Sequence, residues 1–211
     1  MNSKILFLLL SILSFSCQKT KPNTLFGEYV IKDKINTKVA KTYTVEIEHI
    51  QQFSKQKGYN QDIAFMIDYS LHSGYQRFFV IDLKKGEILK KGLVCHGGAK
   101  GKNNSGIPTA FGNVNESHCT SLGMAVIGKR AYSSWGKHYK YWLDGLEKSN
   151  SNMRKRVVVL HAWDGVDDKD IYPNVLAVSW GCPTVSVQFL DELDVLLKEH
   201  EKVLLYSFSN P

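Results

Sequence analysis

Hydrophobic and polar positions change period several times along this chain. An unbroken apolar run from Ile5 to Phe15 follows the single charge of Lys4 and stops at Ser16-Cys17. Residues 18–36 (QKTKPNTLFGEYVIKDKIN) are polar, lack a period and read as a tether. Between 38 and 57, Val39, Tyr43, Val45, Ile47, Ile50 and Phe53 recur at mixed spacing, which predicts a helix ended by Gly58. Short strands follow. IAFMIDYS (63–70) predicts one, and RFFVIDLKKGEILKKGLVCHGG (77–98) predicts a hairpin whose turn is Lys84-Lys85-Gly86, with glycine supplying positive φ. After the loop AKGKNNSGIPTAFGN, the run SLGMAVIGK predicts a further strand. Residues 131–152 (AYSSWGKHYKYWLDGLEKSNSN) mix aromatics with glycines and read as a loop, a candidate lid. RVVVLHAW (156–163), β-branched and apolar, is the most strand-like run and ends at His161. Val187, Leu190, Leu193 and Leu197 then recur at helical spacing, and KVLLYSF closes the chain as a strand. The pattern predicts a mostly β, α+β domain over residues 38–210, with one N-terminal helix and one helix after Cys182.

Composition narrows the setting. A chain of 211 residues with 43% apolar content suits one globular domain plus a leader. The first 16 residues have the layout of a signal peptide, because the apolar run is too short for a stable membrane helix. A cysteine directly after that run, followed by polar residues, resembles a bacterial lipoprotein signal. The resemblance implies cleavage before Cys17, lipidation of Cys17, a tether over 17–37, and an exported protein anchored to a membrane and facing the periplasm or cell wall. Plain secretion and a retained signal anchor are the alternatives for the same run. The formal charge of +7 is scattered, with no basic helical stripe carrying interleaved aromatics, so nucleic acid is a poor partner. A basic surface outside the cytoplasm suits anionic partners, as a weak attraction only.

With Cys17 lipidated, Cys95, Cys119 and Cys182 remain. Three is odd, so at least one thiol is unpaired within the chain. Cys95 and Cys119 read either as a disulfide or as two separate buried thiols. Adjacent strand residues point to opposite faces, so Cys95-His96 and His118-Cys119 lack the spacing of a metal site. No cofactor is expected. Cys182 lies in VSWGCPTVSV (178–187), and 17 residues separate His161 from Ser179. A nucleophilic cysteine needs a base within hydrogen-bond reach and N–H groups aimed at the developing oxyanion. Gly181 admits close backbone approach and Pro183 holds a bend. A core histidine and a buried thiol would fit the same spacing.

The arrangement His161, 17 residues, then Ser179-Trp180-Gly181-Cys182 resembles the signature of the YkuD-type L,D-transpeptidases. RFFVIDLKKGEIL, CHGG, SLG at 121–123, WLDGLEKSNSNMRKR, VVVLHAW and SWGCP, in that order, resemble the murein L,D-transpeptidase subgroup with a Ser-Trp-Gly-Cys-Pro bend. The resemblance implies a YkuD-like β-sandwich or barrel that acts on peptidoglycan stem peptides through a thioester on Cys182. It makes His161 the base, the Ala162 carbonyl the group that orients the imidazole, and Ser179, Gly181 and Cys182 the oxyanion-stabilising bend. His96 and Trp180 fall near the cleft. Thr184 stands where the wider family often carries Arg or Asn, so the residue that grips the substrate is open, with Arg130, Lys137 and Arg156 as candidates. Transpeptidation and carboxypeptidation share this site. Sortases need an arginine after the cysteine, whereas the last arginine here is Arg156, and papain-like enzymes place cysteine before histidine. The rival from another class is a non-catalytic, cell-wall-binding lipoprotein on the same fold.

Overall fold

The computed structural model describes residues 43–99 and 105–210. The signal peptide, Cys17, the tether and residues 38–42 of the expected helix lie outside the described residues. The elements are α1 (Thr44–Lys57), β1 (Ile63–Asp68), β2 (Phe78–Asp82), β3 (Glu87–Gly92), β4 (Gly123–Tyr132), β5 (Tyr139–Gly145), β6 (Val159–Ala162), β7 (Thr184–Val185), α2 (Val187–Glu199) and β8 (Leu204–Phe208). The eight strands form one sheet in the order β3-β2-β1-β8-β4-β5-β6-β7. Neighbours are antiparallel except β1 with β8 and β6 with β7. The chain beyond β3 curls back to the far edge, where the Cys95 N–H donates to the Thr184 carbonyl at 2.8 Å and Gly97 bridges Ser179. The sheet is thereby nearly closed, a mostly β, barrel-like fold with two helices.

Both faces of the sheet carry a core. Phe65, Ile67, Phe78, Leu143 and Leu160 meet Phe189, Leu190 and Leu193 of α2 on one side. Ala64, Met66, Phe79 and Ile81 meet Tyr43, Ile47 and Ile50 at α1 on the other. Burial on both faces is why β1 reads as a continuous apolar run rather than an alternating one. Gly58 ends α1 in the left-handed conformation at φ 73°, its N–H on the Ser54 carbonyl. Ser186 caps α2 by accepting from the Phe189 N–H.

Two expectations change, and one open alternative resolves. Residues 131–152 are not one loop: β4 runs on to Tyr132 and β5 occupies Tyr139–Gly145. There Tyr139, Tyr141 and Leu143 face the core while Lys140 and Trp142 face outward, a strand alternation masked by aromatics on both faces. His161 does not end its strand, which continues to Ala162, and Thr184–Val185 adds a two-residue strand before α2. Cys95 and Cys119 are two separate buried thiols, not a disulfide.

The sheet's closure is organised by a buried cation. Arg77 is fully buried, and its guanidinium donates to the carbonyls of Val94 (3.0 and 3.2 Å), Leu71 (2.7 Å) and Gly106 (3.3 Å). Its Nη2 lies 2.7 Å from His96 Nδ1. Because the guanidinium only donates, that nitrogen must accept, and the His96 proton sits on Nε2. Among the described residues no carboxylate lies within ion-pair distance of Arg77. Burial, then the Arg77 charge and His72, push His96 from 6.5 down to about 3.

A group whose folded value is depressed contributes stability above its unfolded value, and that stability is lost as pH falls toward the folded one. Unfolding free energy should therefore decline by up to about 1.4 kcal/mol per pH unit between about pH 6.5 and pH 3 from this residue alone. Urea titrations should show that component of the slope vanishing in His96→Gln. An unchanged slope would refute the assignment.

Candidate active site

The bend that carries Cys182 is pinned by its own serine. Ser179 Oγ donates to the Cys182 carbonyl at 2.7 Å and accepts from the Gly181 N–H at 3.2 Å. The Ser179 backbone pairs with His96 and Gly98 at 2.8 and 3.1 Å. Gly181 sits at φ 105°, and a Cβ there would meet the Cys119 carbonyl oxygen at 2.6 Å. Glycine is therefore required twice, by conformation and by space. The Cys182 N–H makes no hydrogen bond to the described residues, so at this bend it is the donor open to a developing oxyanion.

Strand register places the remaining groups. β6 and β7 run parallel with His161 opposite Thr184, and β5 runs antiparallel to β6 with Lys140 opposite His161 and Trp142 opposite Val159. Partners directly opposite share a face, with Cβ atoms about 4.5–5.5 Å apart. One row across the outward face is therefore Lys140, His161, Thr184. The adjacent row is Trp142, Val159 and, two residues before Thr184, Cys182, whose Sγ accepts from the Val159 N–H at 3.5 Å. His161 and Cys182 thus lie on one face, one row apart.

Each engages other partners. His161 Nδ1 lies 3.1 Å from the Ala162 carbonyl, so it carries the proton and donates. Nε2 then accepts from the Thr184 hydroxyl at 2.9 Å. The Ala162 carbonyl is also where the β4–β5 hairpin lands, and a Cβ on Gly136 would collide with it. The Cys182 thiol reaches the Val157 carbonyl at 3.8 Å. No hydrogen bond joins the thiol to the imidazole. Burial raises the Cys182 thiol above its ordinary value, against the opposing pull of the Val159 N–H, Arg156 and Lys140. Burial likewise lowers His161, with Lys140 adding to the effect and the Ala162 carbonyl opposing it. Both shifts favour the neutral forms, a thiol and an imidazole, over a thiolate and an imidazolium.

The other residues singled out in the sequence divide clearly. Trp180 is 77% exposed and stacks on His118 with ring centroids 4.6 Å apart, flanking the bend. His96 is 2% exposed and turned toward Arg77, inside the fold rather than lining a cleft. Arg130 pairs with Asp194 at 2.8 Å and Lys137 with Asp191 at 2.9 Å, which ties both to α2. Arg156 lies beneath the bend and donates to the carbonyls of Gly112 (2.9 Å) and Cys119 (2.6 Å) and to Ser121 Oγ (2.7 Å), holding the 112–121 loop against Gly181. Lys140, Trp142 and Arg77 were missed from sequence. The first two were hidden by reading 131–152 as loop. Arg77 left one signal, a charge directly ahead of the apolar run Phe78–Ile81. Among the described residues no three His, Cys, Asp or Glu side chains converge to hold a metal ion.

The match to the YkuD_2 family, the L,D-transpeptidase catalytic domain, covers residues 31–206, and the chain belongs to this family. No curated protein sequence matches it. Among solved structures it is similar to the helical cell shape determining protein Pgp2 from Campylobacter jejuni, at 11% identity and TM-score 0.45 over 72% of this chain and 50% of that one. The Ldtfm-avibactam carbamoyl enzyme is similar at 12% identity and TM-score 0.44, over 72% of this chain and 51% of that one. An L,D-transpeptidase from Xylanimonas cellulosilytica is similar at 10% and 0.39, over 74% and 68%. The chain spans about half the length of the first two.

A neutral thiol and imidazole have a kinetic signature. The rate of iodoacetamide alkylation at Cys182 should climb about tenfold per pH unit toward and past the ordinary thiol value of 9.0. A plateau of high reactivity between about pH 4 and pH 7, as a thiolate–imidazolium pair gives, would contradict it.

Proposed function

We propose that this chain is a peptidoglycan L,D-transpeptidase, with L,D-carboxypeptidation as the same reaction ended by water. Cys182 is the nucleophile and His161 the base. The observation that carries this reading is the outward face of β6 and β7. There the Ser179-pinned bend presents Sγ one row from an imidazole whose tautomer the Ala162 carbonyl fixes.

Proton transfer from Sγ to Nε2 requires Nε2 to exchange the Thr184 hydroxyl for the thiol, and a bound stem peptide supplies the occasion. The resulting thiolate attacks the L,D amide carbonyl between stem residues three and four. The oxyanion is met by the Cys182 N–H, with Gly181 and Ser179 holding the bend in shape. The tetrahedral intermediate collapses, the C–N bond breaks, and the imidazolium returns its proton to the departing D-Ala amine. An amine or a water then attacks the thioester, loses its proton to His161 and releases Cys182. The leader supports an exported protein anchored through a lipid on Cys17, which brings the domain to its polymeric substrate.

A second reading, a cell-wall-binding lipoprotein without catalysis, is favoured by one observation: thiol and imidazole share no hydrogen bond.

Intact-mass measurement after carbapenem exposure separates the two. The wild type should gain one covalent adduct that is absent from Cys182→Ala, and muropeptides digested with the wild type should show stems shortened by one D-Ala or new 3–3 crosslinks. An unlabelled Cys182 with unchanged muropeptides, in a protein that still sediments with peptidoglycan, would establish the second reading.

A further inference from the structure

If a D-amino acid leaves from this site as a free acid, its carboxylate arrives with it, and a cation is needed to receive it. The leaving nitrogen lies at His161 Nε2, because Nδ1 is held on the Ala162 carbonyl. The carboxylate is one Cα beyond that nitrogen, roughly 2.5 Å away by standard backbone dimensions. Its receiver must therefore be a neighbour of His161 on the outward face.

The described arginines around the site are already engaged. Arg130 holds Asp194, and Arg154 forms a two-pronged pair with Asp144. Arg156 donates to two carbonyls and a hydroxyl under the bend. Lys137 holds Asp191. Lys140 differs in three respects. It stands directly opposite His161 in the β5–β6 pairing, so both side chains leave the sheet together. It forms no ion pair with any described carboxylate. Its ammonium lies 5.2 Å from the centroid of the Trp142 ring, in the row that holds Cys182, and its charge is felt at both His161 and Cys182. The Arg154 guanidinium also lies over Trp142, 4.7 Å from its centroid. Contact with the Trp142 ring holds the Lys140 ammonium beside the row that carries Cys182.

Resting on the L,D-acyl-transfer reading above, we propose that Lys140 is the specificity-determining residue that receives the terminal carboxylate of the donor peptide. The substrate is then a peptide with a free C-terminal carboxylate one residue past the scissile amide. Thr184, opposite His161 on its other flank, bears no charge, and Lys140 performs the gripping role from the β5 side.

The test compares a tetrapeptide stem ending in free D-Ala with the same peptide ending in D-alaninamide, for the wild type, Lys140→Met and Lys140→Arg, by release of the C-terminal residue. The wild type should prefer the acid by about 10- to 100-fold in kcat/KM, the scale of one charge-assisted hydrogen bond. Lys140→Met should lose that preference, its KM for the acid rising toward that for the amide, and Lys140→Arg should keep it. Amide release also shows that each variant is folded. If Lys140→Met still prefers the acid as the wild type does, or slows acid and amide equally, Lys140 does not read the carboxylate and the assignment falls. If the wild type releases neither product, the acyl-transfer reading itself falls and takes this assignment with it.

Discussion

The fold depends on a buried guanidinium that forms no ion pair among the described residues. Carbonyls and an imidazole surround Arg77 and accept its hydrogen bonds, with the Asp68 charge favouring it from farther off. Those acceptors come from three separate stretches, around residues 71, 94–96 and 106. One cation therefore fixes the extension beyond β3, which in turn supplies the Cys95, His96 and Gly98 groups that hydrogen-bond Thr184 and Ser179. The bend holding Cys182 rests on backbone, and the backbone rests on Arg77. Replacing His96 or Arg77 disturbs this chain of support at its root, although neither side chain faces the outward surface where Cys182 sits.

Much of the architecture was legible because local rules and tertiary packing agree. Gly86 takes the positive φ expected of it, Gly58 ends α1, and Leu190 and Leu193 of the apolar spacing in α2 are buried while Val187 and Leu197 pack partly buried against the core. The failures share one cause. β5 has tyrosines on its buried face and a tryptophan and lysine on the other, so the alternation that defines a strand is hidden among side chains that are all large. β7 is too short to leave any period, and exists because its two residues pair with β6. Sheet order could not be read at all, since the pairing of β1 with β8 joins opposite ends of the domain.

The site shows the same division. Cys182, His161, Ser179 and Gly181 could be singled out as candidates because their spacing and the tight bend are visible in the linear chain. The roles of Lys140 and Arg156 were not legible, because a cation's role depends on which partners the fold leaves to it. Arg156 is absorbed into a loop clamp and Lys140 is left over. No linear pattern distinguishes these outcomes.

The Thr184 hydroxyl on His161 Nε2 has a consequence for endurance. A protonated thiol is a poor target for oxidants, which act on thiolates. Burial, which raises the Cys182 thiol, works against the slow conversion to sulfenic and sulfinic acids that consumes permanently ionised cysteines. While the Thr184 hydroxyl occupies Nε2, that imidazole lone pair is not there to draw a proton from a thiol.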